Sequence, residues 1–377
     1  MSPRLLGILV AVLAILGGAA LWLQHAQRAD QPAAVAELGE PLVKGLQAAN
    51  IASIRITAPG ASVTLRREGE RWVVAGDGDF PADLAKVRGL VVKALGLKVG
   101  QSERMSAADR VRLQLNEPSA AEGGGTLIEF YDAAGKPLAG LIVGGKYFKR
   151  TPDDPKSAKA DGRFVLRPDA TGTAIIVADP LEQSVAKRAE WLDHRALAAE
   201  EPVSIDVRHA DGDHWRLERG PGADAKWRLV DAKPKEKLND TTVLSVAAAA
   251  GGLDFADVVK RDPQREAQVL ARPTVITTVT RDGLTYVVKV GAVEDQKRYA
   301  VGEIRGDTPG ARKPVDGEKP EEAKARDKAF AERVARIQAR RPTTGSLDGY
   351  ALLIPDTTLA DLTKKRADLL EKPPAKP

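Results

Sequence analysis

Hydrophobic and polar positions alternate with period two in one short stretch after another of this chain, and the series of stretches occurs twice. Ile54 and Ile56, then Val63 and Leu65 across Pro59-Gly60, are followed by Trp72 and Val74 on a third segment. Alternation interrupted by a turn dipeptide predicts a hairpin buried on one face. The same order returns with Ile205 and Val207, then Trp215 and Leu217, on either side of Asp211-Gly212, a tight-turn pair. The period then changes to that of a helix. Asp83 precedes Leu84, Val87, Leu90 and Val91, and Asp240 precedes Val243, Leu244 and Ala247. That i, i+3, i+4 spacing predicts one apolar stripe per helix, with Asp83 and either Asn239 or Asp240 suited to capping orphan backbone N–H groups. A second hairpin follows each helix: 127–131 turns at Ala134-Gly135 into 138–143, and 275–280 turns at Asp282-Gly283 into 285–290. Each ends on a glycine, Gly144 or Gly291. Two later strands, 163–166 and 174–177, are matched by 298–301 and 351–354.

Both halves close on one motif, Lys187-Arg188-Ala189-Glu190-Trp191-Leu192 and Lys365-Arg366-Ala367-Asp368-Leu369-Leu370, each expected to form a helix. Hairpin-linked strands interleaved with helices predict an α+β fold, duplicated as modules 51–193 and 194–370, with mainly antiparallel sheets. A residue present in only one copy is not required by the shared framework, so the duplication separates scaffold from decoration.

An uncharged run from Leu5 to Leu23 precedes the modules, flanked by Arg4 and Arg28. About 20 apolar residues cross a hydrocarbon core roughly 30 Å thick. Residues 1–25 are therefore read as a single transmembrane anchor and 26–50 as a tether, with the remainder outside the cytoplasm because Arg4 stays inside. A cleavable signal peptide is the competing reading. Its apolar region is usually about 7–15 residues, and the small-residue pair Gly18 and Ala20 falls inside the run. The tail 371–377 is short and Pro-rich, and is expected to be disordered.

Composition narrows the chemistry. The chain of 377 residues is 43% hydrophobic but only 4% aromatic, so its cores must rest on Val, Leu, Ile and Ala. It has no cysteine, which excludes disulfides and thiol catalysis. The net charge is +5, and residues 305–341 hold eleven Lys/Arg against seven Asp/Glu. The rest is near neutral, which argues against a nucleic-acid partner.

The chain resembles the DUF4340 family of bacterial envelope proteins. The resemblance rests on the N-terminal span, the hairpin-then-Trp opening with Ala82-Asp83 at the helix start, and Trp191-Leu192-Asp193 leading into Val203-Ser204-Ile205-Asp206-Val207. It implies an inner-membrane, largely periplasmic accessory or scaffold protein with ABC-type transporter components as partners. It brings no catalytic residues and no cofactor.

Comparison of the halves removes most candidates for chemistry. His209, Asp211, Asp213 and His214 include reasonable zinc ligands, but Ala58-Pro59-Gly60-Ala61 fills the same turn with none. Asp77, Asp79 and Asp83 begin like a calcium loop and then depart from it at Ala82 and Arg88. Gly144-Gly145-Lys146 lacks the strand–loop–helix context of a phosphate loop. His194 beside Asp193 has no Gly-x-Ser-x-Gly serine to serve. Trp72 and Trp227 are expected in the core.

No metal or cofactor is assigned, and enzyme activity is not expected. The real asymmetry is the insertion 306–345, with Glu321 and Glu322 in an acidic first turn, Arg333, Arg336, Arg340 and Arg341 at a basic end, and Phe330, Val334 and Ile337 spaced i, i+4, i+7. Either this stripe folds back on its own module, or Phe330, Arg333, Val334, Arg336, Ile337 and Arg340 form a docking face for a partner or anionic lipid. The expected function is that of a membrane-anchored accessory or scaffold protein. The alternative is a glycan- or lipid-binding module with a cleft between the repeats.

Overall fold

The computed structural model describes residues 38–371, apart from 77–78, 151–152, 155–157, 170–171, 221, 223–224, 307–309 and 313–316, and without the side chains of 339–346. The apolar run Leu5–Leu23 and residues 372–377 lie outside the described residues; among the described residues no helix is long and apolar enough to cross a membrane. The fold is α+β, with two mainly antiparallel sheets.

The chain divides into two compact units, one of residues 1–70 with 84–190, the other of 71–83 with 191–377. In the first, β1 (Ser53–Ala58) and β2 (Ala61–Glu68) form a hairpin in which Ala58 faces Ala61 across Pro59-Gly60. Gly60, at φ +75°, supplies the left-handed backbone the two-residue turn requires. The chain passes through β3 (Arg71–Val74) and β4 (Phe80–Pro81), which belong to the second unit, before returning to α1 (Leu84–Gly96). There follow β5 (Gln101–Arg104), α2 (Ala107–Arg112), β6 (Thr126–Tyr131), β7 (Pro137–Tyr147), β8 (Gly162–Leu166) and β9 (Thr173–Val177). The strands of this unit run β2-β1-β6-β7-β8-β9-β5. Ile54, Ile56, Leu65, Ile128 and Phe130 are all buried, as the period-two pattern requires of one face.

The second unit repeats the series with β10 (Pro202–Arg208), β11 (His214–Arg219), β12 (Trp227–Leu229), α3 (Asp240–Gly251), β13 (Asp257–Lys260), α4 (Pro263–Val269), β14 (Thr274–Thr280), β15 (Thr285–Glu294), β16 (Lys297–Arg305), α5 (Pro320–Ser346), β17 (Tyr350–Pro355) and α6 (Asp356–Leu359). Its sheet runs β12-β11-β10-β14-β15-β16-β17-β13. Strand for strand, β11-β10-β14-β15-β16-β17-β13 has the topology of β2-β1-β6-β7-β8-β9-β5, with a helix before and a short helix after the last-named strand in each. The duplication is therefore one of topology as well as of motif. Asn239, not Asp240, caps α3, its side-chain oxygen accepting from the Thr242 N–H at 3.0 Å.

The closing motifs are shorter than expected, each a single 3₁₀ turn, Arg188–Trp191 and Arg366–Leu369. The backbone has another partner immediately afterwards. Leu192 bridges Ala82 and Leu370 bridges Leu238, both antiparallel. Asp83 N–H donates to Trp191 O as Asn239 N–H donates to Leu369 O, each at 2.8 Å. Extended pairing of this kind stops the turn from continuing as a helix.

Candidate functional site

Two structural positions recur in both units and account for residues that stood out in the sequence. Each long strand shifts register just past its glycine, between Val143 and Lys146 in β7 and between Val290 and Val293 in β15. A Cβ at Gly144 would lie 2.4 Å from Leu113 O, and one at Gly291 would lie 2.8 Å from Val269 O. Close approach of the preceding short helix's end, rather than phosphate binding, demands these glycines. Arg163 and Arg298 occupy matching positions on the next strand. They donate to Gly144 O at 3.0 Å and Gly291 O at 3.3 Å, holding the carbonyl that the bulge removes from the ladder. Burial pushes the Arg163 guanidinium below its usual range.

The dense His/Asp group on the β10–β11 turn fastens the chain's end. His209 Nε2 donates to Lys364 O at 3.0 Å, and the buried Trp215 Nε1 donates to the same oxygen at 2.8 Å. Asp211 pairs with Lys365 at 2.6 Å, and that hydrogen bond is the first cause holding its carboxyl below the usual range. Asp213 accepts the Arg366 N–H, and His214 lies 3.0 Å from Asp206. Among the described residues no three His, Asp or Glu side chains are placed to share a metal. Asp77 lies outside the described residues. His194 donates from Nδ1 to Asp254 and Phe255 O, and its ring stacks on Phe255. Trp72 and Trp227 are half-buried rather than in the core, and the Arg219 guanidinium lies over Trp227 at 5.1 Å. Their strands are short, and on β11, beside the strand of Trp227, the deep position is taken by Trp215.

The insertion forms α5, 27 residues long. Its entry is braced by Glu318, only 6% exposed, which accepts from both Arg312 and Arg326. Further along, Arg333 donates twice to Asp282 O, at 3.0 and 2.6 Å, while Arg336 forms a two-pronged ion pair with the Asp282 carboxylate at 2.9 and 3.0 Å. That pairing raises the Arg336 pKa. Ile337 is 2% exposed, and Phe330 and Val334 are half-buried. The side chain of Arg340 lies outside the described residues. The stripe expected to meet either a partner or its own module is thus turned to its own module over Arg333–Ile337. It clamps the Asp282-Gly283 turn, which period-two reasoning could find only as a turn. The opposite face, with Lys324, Lys328 and Glu332, is exposed.

A model of a domain of unknown function, DUF4340, matches residues 72–273, more than half of the chain. The chain belongs to the DUF4340 family. The matched span runs from the third segment of the first repeat to the start of β14, so the DUF4340 match takes in parts of both repeats and ends before α5. Comparison with curated proteins and with solved structures returned no match.

Proposed function

We propose that this DUF4340 protein is a membrane-anchored, extracytoplasmic accessory or scaffold subunit that docks a partner along the outward face of α5. The observation that carries this reading is the fastening of α5. A helix of 27 residues is about 40 Å long at 1.5 Å per residue, far longer than its anchoring turn needs. It is clamped through Arg333, Arg336 and Ile337, while Lys324, Lys328 and Glu332 project from the other side. It interrupts the β16–β17 hairpin, and the first repeat does without it. The family resemblance supplies the class of partner, an ABC-type export complex, and the run Leu5–Leu23 supplies the anchor.

The test uses the full chain recovered from membranes in mild detergent. It should remain with the membrane after a high-pH carbonate wash and co-purify with ABC-type transporter subunits identified by mass spectrometry. Lys324→Glu with Lys328→Glu should lose those subunits while leaving the thermal midpoint unchanged, since neither side chain contributes to the core. Recovery of the same subunits with the doubly reversed helix would reject docking by α5. Release by carbonate would reject the anchor.

A further inference from the structure

The two repeats also differ at the connection that follows the short helix, and there the second contains a cavity. In the first repeat the connection from α2 to β6, residues 113–125, folds over the face of β7 and β8. Leu113 and Leu115 are buried there with Ile142, Leu166 and Ala174, and Met105, Leu127 and Phe164 pack around them. The segment is closed on itself by the Asn116 N–H to Gly123 O and the Gly125 N–H to Asn116 O. It is tied to the strand by the Gly145 N–H to Leu113 O at 2.8 Å. In the second repeat the equivalent connection is only 270–273. Among the described residues, the four of this connection supply no counterpart to Leu115. A cavity of about 490 Å³ lies instead against β15 and β16, walled by Leu270, Pro273, Val287 and Val301 and edged by the cations Arg261 and Lys289 and the carboxylates of Glu266, Glu303 and Asp348.

Register fixes the correspondence. Ile142 is flanked by Leu127 and Leu166, and Lys289 by Val275 and Val301, each two residues before its bulge glycine. Met105 and Arg261 each precede the N-cap of the short helix, Ser106 or Asp262. They donate their N–H groups to Gly172 O and Gly349 O. An apolar floor has therefore been replaced by one with a charged edge. Arg261 is occupied by Glu266, through two hydrogen bonds of 2.6 Å, and Glu303 is likewise held by both arms of Arg305. Lys289 is exposed; among the described residues no carboxylate is hydrogen-bonded or ion-paired to it, although the Glu303 carboxylate lies within its electrostatic reach.

We propose that this cavity binds an extended polypeptide segment of a partner protein, one carrying an apolar side chain close to a carboxylate. The apolar side chain takes the place that Leu115 holds in the first repeat, between Val287 and Val301, and the carboxylate meets the Lys289 ammonium. The precedent for a polypeptide occupant is the molecule's own: residues 113–125 present Leu115 and, two positions on, Glu117. This inference does not depend on docking by α5.

The test is fluorescence anisotropy with the full chain in mild detergent and a fluorescein-labelled peptide of the sequence 113–125 as probe. Saturable binding is expected. Lys289→Glu should weaken it by about tenfold or more, the scale of one charge-assisted hydrogen bond. Val301→Trp should abolish it by filling the cavity. Lys136→Glu, an exposed turn lysine of the first unit, should leave it unchanged. Lys289→Ile restores the apolar type of the first repeat and serves as a second variant should the charge reversal unfold, which circular dichroism would reveal. It too should weaken binding. Peptides with Leu115→Ala or Glu117→Gln should bind less tightly than the parent. Absence of saturable binding, or binding indifferent to both Lys289 variants and to Val301→Trp, would overturn the proposal. So would saturable binding of octanoate without binding of the peptide, since octanoate offers a carboxylate and an apolar tail but no backbone.

Discussion

Single residues with one role in both repeats carry most of the framework. Gly144 and Gly291 are the clearest pair, because a Cβ would meet backbone oxygen, which cannot swing aside as a side-chain end can. Gly144→Ala and Gly291→Ala should each cost about 1–3 kcal/mol in urea unfolding, the range of an overpacked core. The first should be the more damaging, since its contact would be 2.4 Å against 2.8 Å. Tryptophan gives the opposite lesson, that like residues need not share a role. Trp215 is 1% exposed and donates to Lys364 O, so Trp215→Ala should cost about 3–5 kcal/mol. Trp227 is half-buried under Arg219, and Trp227→Ala should cost only about 1 kcal/mol, chiefly its cation–π contact. Equal costs for the two would contradict this assignment of depth.

At the scale of elements, α5 is a helix with two different ends. Ile337 is buried, so Ile337→Ala should lower stability by about 2–5 kcal/mol, whereas Ala substitutions at exposed Lys324 or Lys328 should stay within about 0.5 kcal/mol. A thermal scan of the three variants separates the anchoring face from the free one. The short helix α2 allows a prediction in pH. Ser106 and Asp109 form a reciprocal capping box, and the Ser106 hydroxyl, followed by Arg112, holds the Asp109 carboxyl at about 2 instead of 3.8. A depressed carboxyl pKa adds stability above the unfolded value and loses it as pH falls through the folded one. Asp109→Asn should therefore be less stable than the parent near neutrality, and the gap should close between about pH 4 and pH 2. A gap that widened on acidification would have the wrong sign.

At the scale of the whole molecule, one topology has been used twice with connections of different length, and two of those differences bear on the proposals for the second copy. One modification adds a helix between β16 and β17. The other shortens the connection between α4 and β14. Both fall on loops, where loop-closure entropy changes slowly with length, so neither disturbs the strand order. The family match lies on the shared framework, and both proposals fall where the second copy departs from the first. The proposed docking by α5 and the proposed peptide capture at β15–β16 are separable, since Lys324 and Lys328 do not line the cavity and Lys289 is not on the helix.

The sequence by itself determined the elements set by local periodicity: the four main hairpins, the helices after Asp83 and Asn239, the duplication and the family. Period two, period 3.6 and turn dipeptides act within a few residues, so they can be read without knowing the fold. Tertiary structure alone decided what depends on a partner far along the chain. The closing motifs became 3₁₀ turns because Leu192 and Leu370 pair with Ala82 and Leu238. The short strands β5 and β13 exist because β9 and β17 offer edges to them, and their own sequences, such as Gln101–Arg104, carry no apolar alternation. The His/Asp group became a fastening for residues 364–366, more than 150 positions away. Arg333 and Arg336 turned inward because Asp282 presents both a carbonyl and a carboxylate to them. The cavity at Lys289 is visible only by laying one repeat on the other, since it is defined by a segment that the first copy has and the second lacks.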